Sequence, residues 1–307
     1  MNHDRLIDWL LTGDVAVRYQ VQRDLLGRER PDLQQRIATE GWGARFLGAR
    51  QPDGHWGRGF YMPKWTSSHY TLLDLKHLGL PPSHPAPAET IALILRQNRG
   101  SDGGINPAMT IPQSDICIQG MFLTYACYFD AEPAALTPIV DYILSEQVAD
   151  GGFNCRSNRG GAVHSSLHTT LSILEGVHEY ASQGYTYRLD ELQQQAAASR
   201  EFILQHRLFL SDRTGTIIDR KFLMFSYPSR WRYDILRALD YFRAADRPYY
   251  PRLQPALDVV QQKRRKDGRW PVQARHAGQT HFDMEPTGRP SRWNTLRALR
   301  VLAHFQS

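Results

Sequence analysis

The segment Gln147–Phe153 reads QVADGGF and decides the fold, because its pattern recurs along the chain. A glutamine, an Asp-Gly step and often an aromatic residue return, complete or degraded, at Gln51–Trp56, Gln97–Ile105, Gln205–Gly215 and Gln262–Trp270. The aspartates at positions 53, 102, 150, 212 and 267 lie 49, 48, 62 and 55 residues apart. A turn motif that recurs at such intervals indicates a repeat architecture. Asp-Gly favours a turn, because Asp hydrogen-bonds nearby backbone and Gly accepts positive φ.

Each turn separates two helical patterns, and the helix that follows the turn is the more apolar. Apolar residues at i, i+3, i+4 and i+7 predict these following helices at 15–26, 67–78, 115–129, 164–180, 230–242 and 291–305. More polar helices are predicted before the turns at 2–12, 36–50, 87–98, 137–148, 191–207 and 252–265. A single helical hairpin cannot bury both of its faces, but hairpins stacked into a closed ring bury each other's exposed faces. The sequence therefore predicts an all-α fold, an (α/α)6 toroid of about six hairpins, as one domain over 1–307.

Composition narrows the function classes. The net charge of +6 and the pI of about 9.3 suit anionic partners, but the charge is scattered and the basic stripe of a nucleic-acid binder is missing. We therefore expect no nucleic-acid partner. We also expect no transmembrane segment, because no stretch of eighteen apolar residues occurs. Asp4 and Asp8 interrupt the apolar N-terminal pattern, unlike a signal peptide, so a cytoplasmic location is predicted. Three cysteines do not indicate a disulfide framework.

The repeat also resembles a known group of proteins. Gln51–Trp56 and Gln262–Trp270 resemble the Gln–Trp motif of squalene and oxidosqualene cyclases. Gln147–Phe153, followed by an apolar helix, resembles the glycine-rich repeats of protein prenyltransferase β subunits. As a pattern, the resemblance covers nearly the whole chain. It implies the α/α toroid of the terpenoid cyclase and prenyltransferase superfamily, whose members hold an isoprenoid in the central cavity where the inner helices begin. It therefore implies an apolar or isoprenoid small molecule as partner. The sequence identifies no partner subunit.

The resemblance extends to a set of metal ligands. Asp115 and Cys117 open the third apolar helix and His168 lies near the start of the fourth, as do the zinc ligands of prenyltransferase β subunits. Carboxylate, thiolate and imidazole suit zinc, and three protein ligands leave a fourth position for a substrate thiolate. His164 lies one helical turn before His168 and is an alternative ligand. The other interpretation is that Asp115 caps a helix and Cys117 is a small buried apolar side chain.

Two departures from the family pattern bear on chemistry. The stretch 105–114 lacks the basic residues that hold the diphosphate in prenyltransferases. Basic residues between later helices are candidate substitutes, namely Arg156, Arg159, Arg220, Lys221, Arg230 and Arg232. Squalene cyclases protonate an alkene with the middle Asp of Asp-x-Asp-Asp. Here the segment is Asp115-Ile-Cys117-Ile118, and a thiol is too weak an acid for that step.

Further candidates lie before other apolar helices. His281, Asp283 and Glu285 form a second polar cluster, in which Asp283 is predicted to act as an acid or base or to bind a cation. Large side chains at the same helix starts suit an isoprenoid chain or a carbocation. The predicted substrate-binding residues are Trp65, Tyr70, Trp231, Tyr233, Trp293 and Arg230.

The leading hypothesis is an isoprenoid-type toroid enzyme with zinc-dependent transferase chemistry at Asp115, Cys117 and His168. The alternative is a non-catalytic binding or scaffold protein that keeps the toroid, because a fold does not fix a function. A third interpretation is polysaccharide processing, which needs two carboxylates across the mouth of the ring. Asp283 or Glu285 together with Asp115 or Asp234 are the candidates for that pair.

Overall fold

The structure is a computed structural model that describes residues 3–156 and 160–306, which leaves Arg159 outside the described residues. The described residues are mostly helical, at 54 %, with almost no strand, and the predicted all-α class is confirmed. In this part of the chain we find no helix with the length and apolar character needed to cross a membrane.

The helices alternate along the chain with turns and short loops. They are α1 His3–Leu11, α2 Val15–Leu26, α3 Pro31–Arg36, α4 Gly41–Gly48, α5 Ser68–Leu78, α6 Pro85–Gln97, α7 Ile116–Tyr128, α8 Pro133–Ser145, α9 Leu167–Ser182, α10 Leu189–Gln205, α11 Ile235–Ala244, α12 Gln254–Gln262 and α13 Arg292–Gln306. Two short strands, β1 Trp270–Pro271 and β2 Pro290–Ser291, pair antiparallel, with Trp270 opposite Ser291 and Pro271 opposite Pro290.

Most predicted helices are present within a few residues, and two differ for physical reasons. The pattern over 36–50 is broken, because Gly41 has φ +60° and separates α3 from α4. Helix α11 begins at Ile235 rather than at residue 230. Arg230 has φ +59°, and the Asp234 carboxylate accepts the backbone N–H of Arg237 at 2.9 Å as a helix cap.

The Asp-Gly turn has one geometry in its four complete copies. The N–H two residues after the aspartate donates to its Oδ1 at 2.9–3.4 Å, in Asp53, Asp102, Asp150 and Asp267. The glycine that follows has φ between +78° and +92°, which a side chain would make costly. The turn predicted from the repeat is therefore confirmed.

Each turn is also fixed to the helix that follows it. Two residues after the glycine, a backbone N–H donates at 2.7–3.0 Å to a side chain in the first helical turns. The pairs are Trp56 with Ser68, Ile105 with Gln119, Phe153 with Thr170, and Trp270 with Thr295. The repeat is thus a turn and helix joined by the same contact each time.

The chain divides into two compact units. Unit 1 consists of Met1–Gly48, His77–Pro81 and Leu204–Ser307, and unit 2 of Ala49–Lys76 and Pro82–Ile203. In unit 1, α2 packs against α1, α3, α4 and α13, so helices from both ends of the sequence share one core.

Unit 1 has a buried ionic network at this contact between α2, α11 and α13. Arg300 donates to Asp24 at 2.7 Å and to Asp240 at 2.8 Å, and all three side chains are at most 14 % exposed. Burial alone raises the pKa of a carboxyl group, but Arg300 and neighbouring guanidinium groups hold the pKa of Asp240 well below its usual range. The network links the first and last parts of the sequence through charge.

The core of unit 2 depends on the close approach of α7 and α9. A Cβ added to Gly120 would lie 2.3 Å from the carbonyl oxygen of Ser172, and one added to Gly176 would lie 2.4 Å from the carbonyl oxygen of Gly120. The two backbones are therefore in direct contact, and only glycine fits at both positions. This packing fixes the position of one helix relative to the other.

Candidate functional site

Two cysteines meet where α7 and α9 begin. Cys117 is the second residue of α7, and Cys155 lies between α8 and α9. The backbone N–H of Cys117 donates to Cys155 Sγ at 3.2 Å, and the Thr169 hydroxyl donates to the same sulfur at 3.6 Å. Both cysteine residues are half-buried, and neither forms a disulfide. The start of α7 thus provides a hydrogen-bond donor to a sulfur that is remote in sequence.

The two thiols differ in acidity. The interaction with the Cys155 side chain, followed by burial, raises the pKa of Cys117. The same interaction, with the hydrogen bonds from Thr169 and the Cys117 backbone, lowers the pKa of Cys155 to about 7. Hydrogen bonds to a sulfur and a helix N-terminus both favour its thiolate. The negative charge therefore resides preferentially on Cys155.

A cluster of aromatic side chains lies near this pair. Burial raises the pKa of the Tyr61 hydroxyl to about 12, and the charges of the two sulfurs act on it in the same direction. The Tyr61 hydroxyl is 3.2 Å from the Tyr70 hydroxyl, and Trp65 packs edge-on against Tyr70 with ring centroids 4.8 Å apart. The predicted substrate-binding residues Trp65 and Tyr70 are therefore buried members of this cluster.

A neutral histidine completes the aromatic cluster. His69 is fully buried, and its Nδ1 lies 3.1 Å from the Tyr125 hydroxyl. Its Nε2 has no hydrogen-bond partner among the described residues. Burial, and secondarily the positive charge of Lys64, lowers the pKa of His69 to about 3. His69 is therefore an uncharged imidazole at neutral pH.

The predicted metal ligands lie at the expected helix starts. Asp115 is the residue before α7, His168 is the second residue of α9, and His164 is exposed in the segment before α9. In residues 3–156 and 160–306, no three His, Cys, Asp or Glu side chains are grouped so that they fit a metal ion. We therefore derive no step through zinc, and the zinc site stays a prediction from the resemblance.

Unit 1 contains a separate pocket of about 470 Å³. Its lining comes from two segments, one that leads into α11 and one that precedes α13. The lining residues that matter for its chemistry are Tyr227, Arg230, Arg275, His276, Phe282 and Asp283. Two of the predicted site residues, Arg230 and Asp283, thus share one pocket.

The charged residues that line the pocket are two arginines, Arg230 and Arg275, and two carboxylates, Asp283 and Glu285. Arg230 is buried, whereas Arg275 is exposed and forms an ion pair with Asp283. Burial, followed by the charges of Arg232 and Arg230, lowers the pKa of His276 to about 4. The two guanidinium groups thus add to the effect of burial and favour the neutral imidazole.

Glu285 lines the same pocket but has a structural role. Its carboxylate accepts the Ser291 hydroxyl and the backbone N–H groups of Arg292, at 2.7 Å, and Trp293, at 3.4 Å. It therefore caps α13, as a carboxylate favours a helix N-terminus. Burial raises its pKa despite these hydrogen bonds.

The other predicted aromatic residues divide into two groups. Trp293 stacks on the pocket residue Tyr227, with ring centroids 4.8 Å apart, and so supports the pocket wall. Trp231 and Tyr233 are not among the pocket-lining residues. Tyr233 is buried and donates to the Leu208 carbonyl at 2.6 Å, and the Arg232 guanidinium lies 4.8 Å from the Trp231 ring centroid.

Sequence reasoning missed Cys155, His69, Arg275 and His276. Cys155 follows the turn at Gln147–Phe153 by two residues, so its place in the repeat was a usable signal. His69, Arg275 and His276 belong to no motif in the sequence. Neither a family model nor a curated protein sequence matches the chain, so the resemblance depends on the quoted motifs alone.

Proposed function

We propose that the protein binds a small molecule with an anionic head group and an apolar body, such as a prenyl diphosphate, in the pocket of unit 1. The observation that carries this proposal is that Arg230, Arg275 and His276 line the same cavity as Tyr227 and Phe282. This ligand class agrees with the isoprenoid substrate that the sequence resemblance implies.

The buried arginine of the pocket favours an anion. Arg230 is buried, so its guanidinium charge is poorly screened by water. His276 is kept neutral partly by the repulsion of Arg232 and Arg230. A diphosphate would relieve that repulsion and accept the charge-assisted hydrogen bonds that guanidinium groups form with phosphates.

The remaining wall favours an apolar body. Tyr227 is supported by Trp293, and Phe282 packs on Phe46, with ring centroids 4.6 Å apart, and under the Arg45 guanidinium. The aromatic rings are therefore held in place before any ligand arrives. The volume of about 470 Å³ falls in the range of roughly 300–1,000 Å³ typical of small-molecule sites.

The same proposal includes the predicted architecture, an (α/α)6 toroid over one domain. Three observations support it: the Asp-Gly turn is repeated with one geometry, each turn is bonded to the next helix, and α2 packs against α13 in unit 1. In that architecture, functional groups collect where the apolar helices begin. The pocket segments and the thiol pair both lie just before or at such helix starts.

Catalysis at this pocket is the second part of the proposal, with Asp283 as the acid or base. Zinc-dependent transfer at Asp115, Cys117 and His168 is proposed from the family resemblance alone. Metal analysis of the purified protein tests it: about one zinc per chain, lost on Cys117→Ala, supports the metal site. The alternative, a non-catalytic binding protein, predicts ligand binding without turnover.

Isothermal titration calorimetry tests the binding proposal. We expect farnesyl diphosphate to bind more tightly than either farnesol or inorganic diphosphate, because the pocket offers both a cationic end and an aromatic wall. Farnesol lacks the head group and diphosphate lacks the body. Equal affinity for farnesol and farnesyl diphosphate would contradict the role of the arginines.

Arginine variants locate the site. Arg230→Met and Arg275→Met should each weaken farnesyl diphosphate binding about tenfold or more, because a hydrogen bond to a charged group contributes about 1.5–3 kcal/mol. Arg213→Met is the matched control, since Arg213 is an exposed arginine of unit 1 outside the pocket. Arg275 is exposed, so Arg275→Met should keep the fold and still tests the site if Arg230→Met does not fold. Full binding by Arg275→Met and Arg230→Met alike would overturn the proposal.

A further inference from the structure

The pairing of Cys117 with Cys155 has no part in the ligand binding proposed for unit 1, and it uses the same Cys117 thiol as the zinc site proposed from the resemblance. The two residues are remote in sequence, yet a backbone N–H of one lies 3.2 Å from the sulfur of the other. Disulfide formation requires Cα atoms within about 7 Å and side chains that face each other. The contact places the Cys155 sulfur against the backbone that carries the Cys117 side chain, so the two thiols start from neighbouring positions.

The surroundings hold the two sulfurs in place. Thr169, at the start of α9, donates its hydroxyl to Cys155 Sγ at 3.6 Å. Helix α7 carries Cys117 and is in backbone contact with α9 through Gly120 and Gly176. Because both partners of Cys155 lie on helices that cannot shift apart without losing this contact, the thiols are pre-positioned for each other.

The geometry points to a dithiol site that reacts with a small organic disulfide by thiol–disulfide exchange. Cys155 is assigned as the attacking sulfur, because the Cys117 backbone N–H and the Thr169 hydroxyl both donate to it and so hold it in place. Cys117 is the resolving thiol. Both residues are half-buried, whereas Cys127 on α7 is buried at 1 % exposure.

The reaction balances in two steps. The Cys155 thiolate attacks one sulfur of R–S–S–R, the S–S bond breaks, and one R–S⁻ leaves and takes up the proton that Cys155 lost. Cys117 then attacks the Cys155 sulfur of the mixed disulfide and expels the second R–S⁻, which takes up the Cys117 proton. Two protein thiols are oxidised to one disulfide, and the small disulfide is reduced to two thiols.

Mass spectrometry of the full chain tests the site. The protein is exposed to oxidised glutathione in the presence of a chelator, which leaves the thiols unligated, and is then quenched in acid. We expect the wild type to lose two hydrogens, to retain no glutathione, and to yield a peptide cross-linked between Cys117 and Cys155. Cys117→Ser should accumulate one glutathione on Cys155, because the resolving thiol is missing.

Matched variants complete the experiment. Cys155→Ser should react about tenfold more slowly than the wild type, because the activated sulfur is gone. Cys127→Ala should behave as the wild type. If a variant does not fold, the presence or absence of the Cys117–Cys155 cross-link in the wild type still tests the dithiol site. A wild type that retains glutathione without the cross-link, or that stays unreacted where the denatured chain reacts fully, would overturn the inference.

Discussion

The two units share the same turn-and-helix motif but differ in the side chains that they bury. Unit 1 places Arg300, Asp24 and Asp240 in its interior and lines its pocket with arginines. Unit 2 brings two helix backbones together at glycines and buries a neutral His69 among tyrosines. The turn and the helix that follows are alike in both. The repeat thus determines where a functional group lies, and the side chains in the segments that lead into the helices determine its chemistry.

The largest effect should come from removing the buried charge of unit 1. Arg300→Met leaves Asp24 and Asp240 buried without their shared partner, and breaking a buried pair costs about 3–5 kcal/mol. Denaturant unfolding measures the change. Arg36→Met is the control, because the Arg36–Glu40 pair is exposed and should contribute nothing measurable. Equal stability of both variants would contradict the importance of the network.

The same variant has a pH signature. The pKa values of Asp24 and Asp240 are lowered in the folded protein, so their stabilising contribution is complete above the ordinary carboxyl pKa of about 3.9 and declines as the pH falls below it. The free energy of unfolding of the wild type should therefore fall more steeply than that of Arg300→Met below about pH 4. Parallel pH profiles of the two proteins would show that the Arg300 network does not lower the pKa values of these aspartates.

A smaller loss is expected in unit 2. Gly120→Ala places a Cβ against the backbone of Ser172, which cannot yield as a flexible side chain would, so the cost should be about 1–3 kcal/mol. Gly48→Ala is the control, since a Cβ there meets nothing within 4 Å. The thermal midpoint should fall for the first variant only. The Cys117–Cys155 cross-link should also form more slowly in Gly120→Ala.

Ligand binding in unit 1 should depend on pH through His276. Its pKa is about 4 without a ligand, and a bound diphosphate raises it, so affinity should increase several-fold as the pH falls from 7.5 towards 5. His276→Asn removes this increment and leaves only the titration of the ligand itself. Calorimetry in buffers of different ionisation enthalpy measures the proton uptake. Identical pH profiles for the wild type and His276→Asn would show that His276 does not interact with the bound ligand.

The smallest effect concerns Asp283, which forms an ion pair with Arg275 at the pocket. Asp283→Asn frees the guanidinium and removes a negative charge, so farnesyl diphosphate should bind about two- to fivefold more tightly, within the range of about 1 kcal/mol for an exposed pair. If Asp283 is also the acid or base, the same variant loses turnover while it gains affinity. Weaker binding would show that the carboxylate contacts the ligand favourably.

The sequence was a good guide to the repeat and to its helices. The turn at Asp150 was predictable because the Asp-Gly pair alone favours it, and Gly151 has the positive φ that such a turn needs. Helix α2 was predicted at its observed bounds, Val15–Leu26. Helix starts were less accurate where the chain adopts an irregular conformation. Arg230 continues an apparent helical pattern, but its φ of +59° and the cap at Asp234 delay α11.

The sites depend on contacts that no local pattern records. Arg230 and Asp283 were identified from their places before apolar helices, whereas His276 has no pattern and reaches the pocket only in the folded chain. Cys155 meets Cys117 because α7 and α9 pack through glycine, a contact between distant parts of the sequence. Glu285 was grouped with Asp283 for chemistry, but the carboxylate caps α13.

A crystal structure of the protein with farnesyl diphosphate tests the central claim most directly, because that claim concerns where the head group binds. The account predicts the diphosphate between Arg230 and Arg275, within hydrogen-bond distance of His276, with the prenyl chain against Tyr227 and Phe282. Diphosphate density away from these arginines, with the pocket of unit 1 empty, would contradict it.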